Sequence, residues 1–238
     1  MQSDLAVRGF TAQDCAITLV AADLNPVMIN PDILRYSGVI PVHWEPASQP
    51  VYTPQNVRLA FKNGVNILAA GHQVTFAEPM EIDSQIVAIA QQFVRAFPNL
   101  QYKGSTLNIR GYLPTDALPG RYIRDTWLAE GPWQDDCARA ALNLVYKSDH
   151  APLELALTEA MLQTKEENSL SIVLFNGRYS YGVKGDTAEE RCRDLSSYFE
   201  HVRPDVKHYL NIVRTKFAKS AVGMQADVQK QFALSAAG

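Results

Sequence analysis

The stretch Asn56–Glu78, "NVRLAFKNGVNILAAGHQVTFAE", decides how this chain is to be read. Val57, Leu59 and Phe61 point one way and Arg58, Ala60 and Lys62 the other; after Asn63-Gly64 the alternation resumes with Val65, Ile67 and Ala69. A period of two belongs to a strand with one buried face. Asn-Gly between two such runs is the strongest short-range hairpin signal, because a type I′ turn needs positive φ at both central residues. Gly71-His72 offers a second tight turn into "QVTFAE", which completes a three-stranded antiparallel meander.

Working outward, "IDSQIVAIAQQFVRAFP" (82–98) changes period. Ile82, Ile86, Ile89, Phe93 and Phe97 recur at three- and four-residue spacing, and Val87, Ala90 and Val94 widen the stripe into a helix face broad enough to lie on a sheet. Pro98 ends it. Upstream, "CAITLVAADL" (Cys15–Leu24) reads as a first strand. A crossover with Pro26, Pro31, Pro41, Pro46, Pro50 and Pro54 follows, and "PDILRY" makes one short helical turn within it.

The second half restates this order. "STLNIRGYL" is a strand, and "LPGRYIRDTWLAEGP" is a short helix with Pro119 near its start and Gly131-Pro132 past its end. "ARAALNLVYK" and "PLELALTEAML" form a hairpin around "SDHA". The second of these is full of helix formers, but Leu153, Leu155 and Leu157 have period two. "SLSIVLFNGRYSYGVKG" reads as strand, Asn176-Gly177 turn, strand. Asp186 caps a helix with Glu189 in the capping-box position, and Cys192, Leu195, Phe199 and Val202 form its buried stripe. Pro204 starts a second helix carrying Val206, Tyr209, Leu210, Val213 and Phe217, with Arg214, Lys216 and Lys219 near its C-terminal end. From Ser220 the chain is Ala/Gln-rich, with Met224, Val228 and Phe232 at four-residue spacing.

The expected fold class is α+β, with an antiparallel sheet and helices on one face. Its two pseudo-repeated halves, 1–100 and 101–219, precede a tail at 220–238. Each half is β-α-β-β-β-β-α-like, a plan that resembles the modules of TATA-binding-protein folds, and such a likeness concerns fold and not function. Identity between the halves is thin, so the two Asn-Gly pairs are as compatible with chance as with duplication.

The bulk numbers exclude several classes. The chain has 238 residues, 47% apolar and 20% charged, which is ordinary for a globular protein with a full core. Cys15, Cys137 and Cys192 are odd in number and far apart, so they form neither a disulfide framework nor zinc-ligand spacing. No apolar run approaches the roughly 20 residues of a membrane span, and the start lacks a signal peptide's basic patch and apolar core. The expected compartment is the cytoplasm. With 22 basic and 25 acidic residues the net charge is −3, which gives no general attraction to nucleic acid.

No catalytic set converges along the sequence. His43 sits beside Trp44 and Glu45 in the proline-rich crossover, where the three could contact a ligand or the tryptophan could plug the core. His72 occupies a turn, His150 follows Asp149 in another, and His201 and His208 flank Pro204. None shows metal-helix spacing. There is no Gly-x-Ser-x-Gly elbow and no phosphate loop; Cys192 falls on an apolar helix stripe, and Cys137 lies next to Asp135 and Asp136. Trp127 and Trp133 bracket Gly131-Pro132, and two indoles so close favour an apolar contact surface or a core position.

The stretches "LNPVMINPDILRYSGVIPVHWE", "NGVNILAAGHQVTFAE" and "LFNGRYSYGVKGDTAEER" resemble a set of hypothetical cyanobacterial proteins. The resemblance implies a bacterial cytosolic, full-length natural chain and assigns no activity. The expectation is a non-enzymatic protein that binds a protein partner or itself as a homodimer, through Trp127, Trp133 and Trp44, with no cofactor, metal, nucleic acid or membrane. The alternative is a small-ligand-binding protein or enzyme with its site near His43 and Glu45.

Overall fold

The computed structural model describes residues 6–7, 9–53, 55–80, 84–118, 120–163 and 169–218. Among these residues ten strands form one antiparallel sheet: β1 (Ala6–Val7), β2 (Phe10–Ala21), β3 (Val51–Tyr52), β4 (Asn56–Ala60), β5 (Asn66–Ala70), β6 (Gln73–Pro79), β7 (Tyr102–Pro114), β8 (Ala141–Tyr146), β9 (Leu153–Gln163) and β10 (Ser169–Gly182). Four α-helices accompany them: α1 (Pro31–Tyr36), α2 (Ile86–Ala96), α3 (Tyr122–Trp127) and α4 (Ala188–Ile212). The strand order is β3-β4-β5-β6-β2-β7-β10-β9-β8, with β1 beside β2. It reads as the same path outward from both sides of the β2/β7 seam: a first strand, then the last, middle and first members of a meander.

One row of side chains shows how the sequence builds the core. Leu59, Ile67, Phe76, Ile17, Leu107 and Tyr179 are cross-strand partners in succession, from β4 through β5, β6, β2 and β7 to β10. All are buried, because alternate residues of each strand face the helices. On that face α2 packs on β2 and β6, α4 on β7 and β10, and α3 on β8 and β9. Two buried carboxylates fasten helix starts to the sheet. Glu78 of β6 accepts from the Gln85 and Ile86 amides at 2.9 and 3.5 Å; Glu159 of β9 accepts from the Gly120 and Ile123 amides at 2.7 and 2.9 Å. Helix N-termini expose unpaired N–H groups, which a carboxylate satisfies while meeting the positive dipole end.

The meander at 56–79 forms as the alternation predicts, but its first turn differs. Gly64 N–H donates to Phe61 O at 3.0 Å and Phe61 N–H to Val65 O at 2.9 Å, so the loop has three residues, with Gly64 in the left-handed region at φ 88°. A type I′ turn centred on Asn63-Gly64 would bring the Val65 amide to Lys62 O; that amide instead donates to Asn63 Oδ1 at 3.3 Å. The strand end is committed to the crossover, through Lys62 N–H to Glu45 O at 3.0 Å, and this sets the register.

The second Asn-Gly pair is no turn. Asn176 and Gly177 lie inside β10, paired continuously with β7 and β9, so the predicted hairpin within 170–182 is absent and the second half has one strand fewer. Gly177 serves packing. A Cβ there would lie 2.5 Å from Tyr209 Cδ2, and bare backbone lets that fully buried ring sit on the strand. Pro204 does not start a helix: α4 runs through it, keeping Val202, Asp205, Tyr209 and Ile212 on one buried stripe, and continues into a π-helical turn at Val213–Ala218. Losing one N–H bond costs less than breaking that stripe. The capping box is Thr187 with Glu190, one residue beyond the predicted Asp186 and Glu189; the Asp186 amide also donates to Glu190. The predicted roles of Pro54, Ile82, Pro119, Lys219 and the 220–238 tail lie outside the described residues.

Candidate functional site on the open face of the sheet

The alternate residues of the same strands face away from the helices, and their register brings together what the sequence keeps apart. Ala60, Asn66, Ala77, Ala16, Asn108, Arg178, Glu154 and Val145 form one cross-strand row over eight strands. A neighbouring row runs through Asp14, Arg110, Asn176, Ala156 and Asn143. Side chains from β6 and from β8, five strand steps apart, line the same hollow, so the sheet curves around it. The hollow has a volume of about 740 Å³, and a second of about 580 Å³ shares Asp14, Thr75, Ala77 and Arg110 with it.

The floor is small and the polar groups are fixed. Ala16, Ala77 and Ala156 leave the depth, and Asn108, Asn143 and Asn176 present amides along it. Arg110 donates to both oxygens of Asp14, with Nε at 2.8 Å, a bidentate pair that orients both planes. A bulge between Ala12 and Asp14 shifts the register of β2 and sets Asp14 opposite Arg110. Thr18 and Thr75 bond across the strands at 2.8 Å. The charges lining the larger hollow balance: Asp14 and Glu154 against Arg110 and Arg178. No aromatic side chain lines either hollow among the described residues.

The residues singled out from the sequence lie elsewhere and are not brought together. Trp44 is buried, its ring 5.3 Å from that of Phe61. Trp127 packs edge-on against Tyr122, Phe175 and Phe217, on the helix side. Trp133 is 41% exposed. His43 and Glu45 are both exposed, and Lys62 binds Glu45 at 2.5 Å and holds its carboxyl below the ordinary range. Of twelve exposed large apolar side chains among the described residues, seven fall in 27–52, so the crossover and not the tryptophans presents the apolar surface.

The histidines hold the larger surprise. His201, Asp205 and His208 share one face of α4, and the β8–β9 turn brings His150 onto His201, the rings stacked at 3.5 Å and 17°. Tyr181 donates to the buried Asp205 carboxylate, while the Tyr179 hydroxyl donates to Asp205 O at 2.9 Å and also meets His208 Nδ1 at 2.9 Å. Burial pushes the Asp205 carboxyl up, against the pull of Tyr181 and the three imidazoles. The i, i+4 and i+3 spacing was visible in the sequence once Pro204 was allowed inside a helix. Among the described residues no cluster is placed to hold a metal ion, and no helix is long and apolar enough to cross a membrane.

Comparison with protein-family models and with curated proteins finds no match.

Proposed function

We propose that this chain is a binding protein whose working surface is the concave open face of the sheet, and that its ligand is an extended segment of another polypeptide. The observation that supports this is the hollow of about 740 Å³ on the face opposite the packed helices, with alanines beneath and amides along it. A carboxamide offers both a donor and an acceptor, the complement of a peptide group. Balanced charge argues against a phosphate backbone, which is bound by excess positive charge. The lack of an aromatic platform argues against bases, which single-strand binders hold by stacking. Asp14 and Arg110 are pre-oriented by each other and need little reorganisation to meet opposite charges on a partner.

The test is selection from a displayed library of 12-residue peptides, followed by titration of enriched peptides. Wild type should bind them, and Asn143→Trp at the rim and Arg110→Ala on the floor should each weaken binding at least about tenfold, the loss of a central contact. Trp133→Ala should leave it unchanged. Failure to enrich any peptide, or affinity indifferent to both groove variants, overturns the reading.

The crossover favours a second reading, contact between copies of the chain. Tyr36 is 97% exposed and Val42 81%, in the crossover that leads to the two-residue edge strand β3. Sedimentation of wild type beside a Tyr36→Ser/Val42→Ser variant tests it: a concentration-dependent dimer lost in the variant supports self-association, and a monomer at high micromolar concentration removes it.

A further inference from the structure

We infer that the stacked His150–His201 pair is an acid-sensitive latch that fastens the β8–β9 hairpin to α4 and opens when both rings become charged. The turn end of the hairpin reaches α4. β8 is an edge strand, with alternate residues exposed on the groove side, and Val145 is 71% exposed. Leu153, Leu155 and Leu157 are buried in the core and Glu159 ties β9 to α3, whereas at the turn end β8 meets the helix layer through Lys216 over the Tyr146 ring at 5.5 Å and the imidazole stack.

The stack responds to protons by geometry. Two neutral imidazoles, or one neutral and one charged, stack face to face; two imidazolium rings with centroids 3.5 Å apart repel at contact distance. Histidine is the side chain whose ordinary titration falls between about pH 5 and 8. The groups around the pair set which way it goes. From α4 come Asp205, His208 and Tyr198, and from β10 come Tyr179 and Tyr181. Asp149 and Lys147 in the turn, and Glu200, Arg203 and Lys207 on α4, are exposed. Among the described groups around the pair, Asp205 is the buried carboxylate, which attracts a proton to the cluster and balances one positive charge. A second proton on the pair has no further buried anion among the described residues to face. Protonation of Asp205 itself, raised by burial, removes that balance and drives the rings apart in the same direction.

On the reading of the open face given above, the consequence reaches the groove. Asn143 and Val145 of β8 and Glu154 of β9 line one wall of it, so a loosened hairpin widens the cleft. Acidification would then release the ligand.

The experiment is amide hydrogen exchange on the full chain without peptide, corrected for intrinsic rates, at about pH 7.5 and 5.5. The readout is protection of Tyr146 and Leu153, which flank the turn. Wild type should lose about tenfold protection on acidification, while His150→Phe and His201→Phe, which keep a stacking ring without a charge, should change less than about twofold. Circular dichroism confirms folding, and two variants guard against one that packs badly. His72→Gln serves as a histidine control and should behave as wild type. Equal protection of wild type at both pH values overturns the latch, as does an acid response that both phenylalanine variants retain. Because no peptide is present, failure of the groove reading leaves this result untouched.

Discussion

Gly177→Ala isolates a claim that sequence and structure read differently. As a turn glycine it would need positive φ; in β10 it needs only the absence of a side chain. An added Cβ would lie 2.5 and 2.7 Å from Tyr209 Cδ2 and Cε2 and 3.2 Å from Leu153 Cδ1. Carbon atoms sit comfortably at about 3.5–4.0 Å, so the ring must retreat by about 1 Å. Tyr209 is fully buried and its hydroxyl donates to Phe175 O at 2.9 Å, a bond that such a retreat breaks. Overpacking costs about 1–3 kcal/mol and the lost hydrogen bond about 1 kcal/mol. The stiffer unfolded chain returns about 0.4–1 kcal/mol. The expected net loss is about 1–3.6 kcal/mol, read as a lower urea midpoint at unchanged slope. The deciding measurement is the same substitution in a Tyr209→Val background. With the ring gone, the methyl has room, and Gly177→Ala should become neutral or stabilising by about 0.5 kcal/mol. An equal cost in both backgrounds would refute the packing argument.

Other substitutions separate buried from exposed roles. Trp127→Ala should cost about 3–5 kcal/mol in urea unfolding because it empties the space between Tyr122, Phe175 and Phe217, whereas Trp133→Ala should stay within about 0.5 kcal/mol. Glu159→Ala should cost about 1–3 kcal/mol by stranding the Gly120 and Ile123 amides, and Glu154→Ala on the open face of the same strand should be near neutral by the same assay. Burial pushes the Cys15 thiol from 9.0 up to about 12, with Glu78 and Asp14 adding to the effect. The folded state therefore favours the neutral thiol: its contribution is fully present below pH 9.0 and is lost as pH rises towards about 12, at about 1.4 kcal/mol per unit. Urea midpoints at pH 8, 9 and 10 should fall less steeply in Cys15→Ala than in wild type.

The parts of the fold that were legible are those where burial is one-sided. Val57, Leu59 and Phe61 announce a strand because their neighbours face water, and Leu153, Leu155 and Leu157 overrule the helix formers around them for the same reason. The expected α+β class holds, with an antiparallel sheet carrying the helices on one face. Gly177 misled because glycine has two uses, and which one applies depends on a tyrosine from a later helix. Pro204 misled because its local cost is visible in sequence while the stripe that outweighs it is tertiary. The open face was invisible for a different reason. Its residues read as solvated positions strand by strand, and only the register of eight strands turns them into one surface. Trp44 and Trp127 were singled out for size, and size serves the core as readily as an interface.

The seam between β2 and β7 bears on the order in which the molecule can assemble as it is made. β2 is among the first strands to emerge, yet it lies near the middle of the sheet. One of its neighbours, β6, begins at Gln73; the other, β7, begins only at Tyr102, and β7 in turn waits for β10 at Ser169. During vectorial synthesis, then, a five-stranded sheet of β3, β4, β5, β6 and β2 with α2 across it can close early, but β2 keeps a bare hydrogen-bonding edge until β7 has emerged. Such an edge is a template for mispairing, and pairing across long sequence separations is slow. The strand that ends up most sheltered in the finished protein is the one that spends longest unsheltered while it is being built.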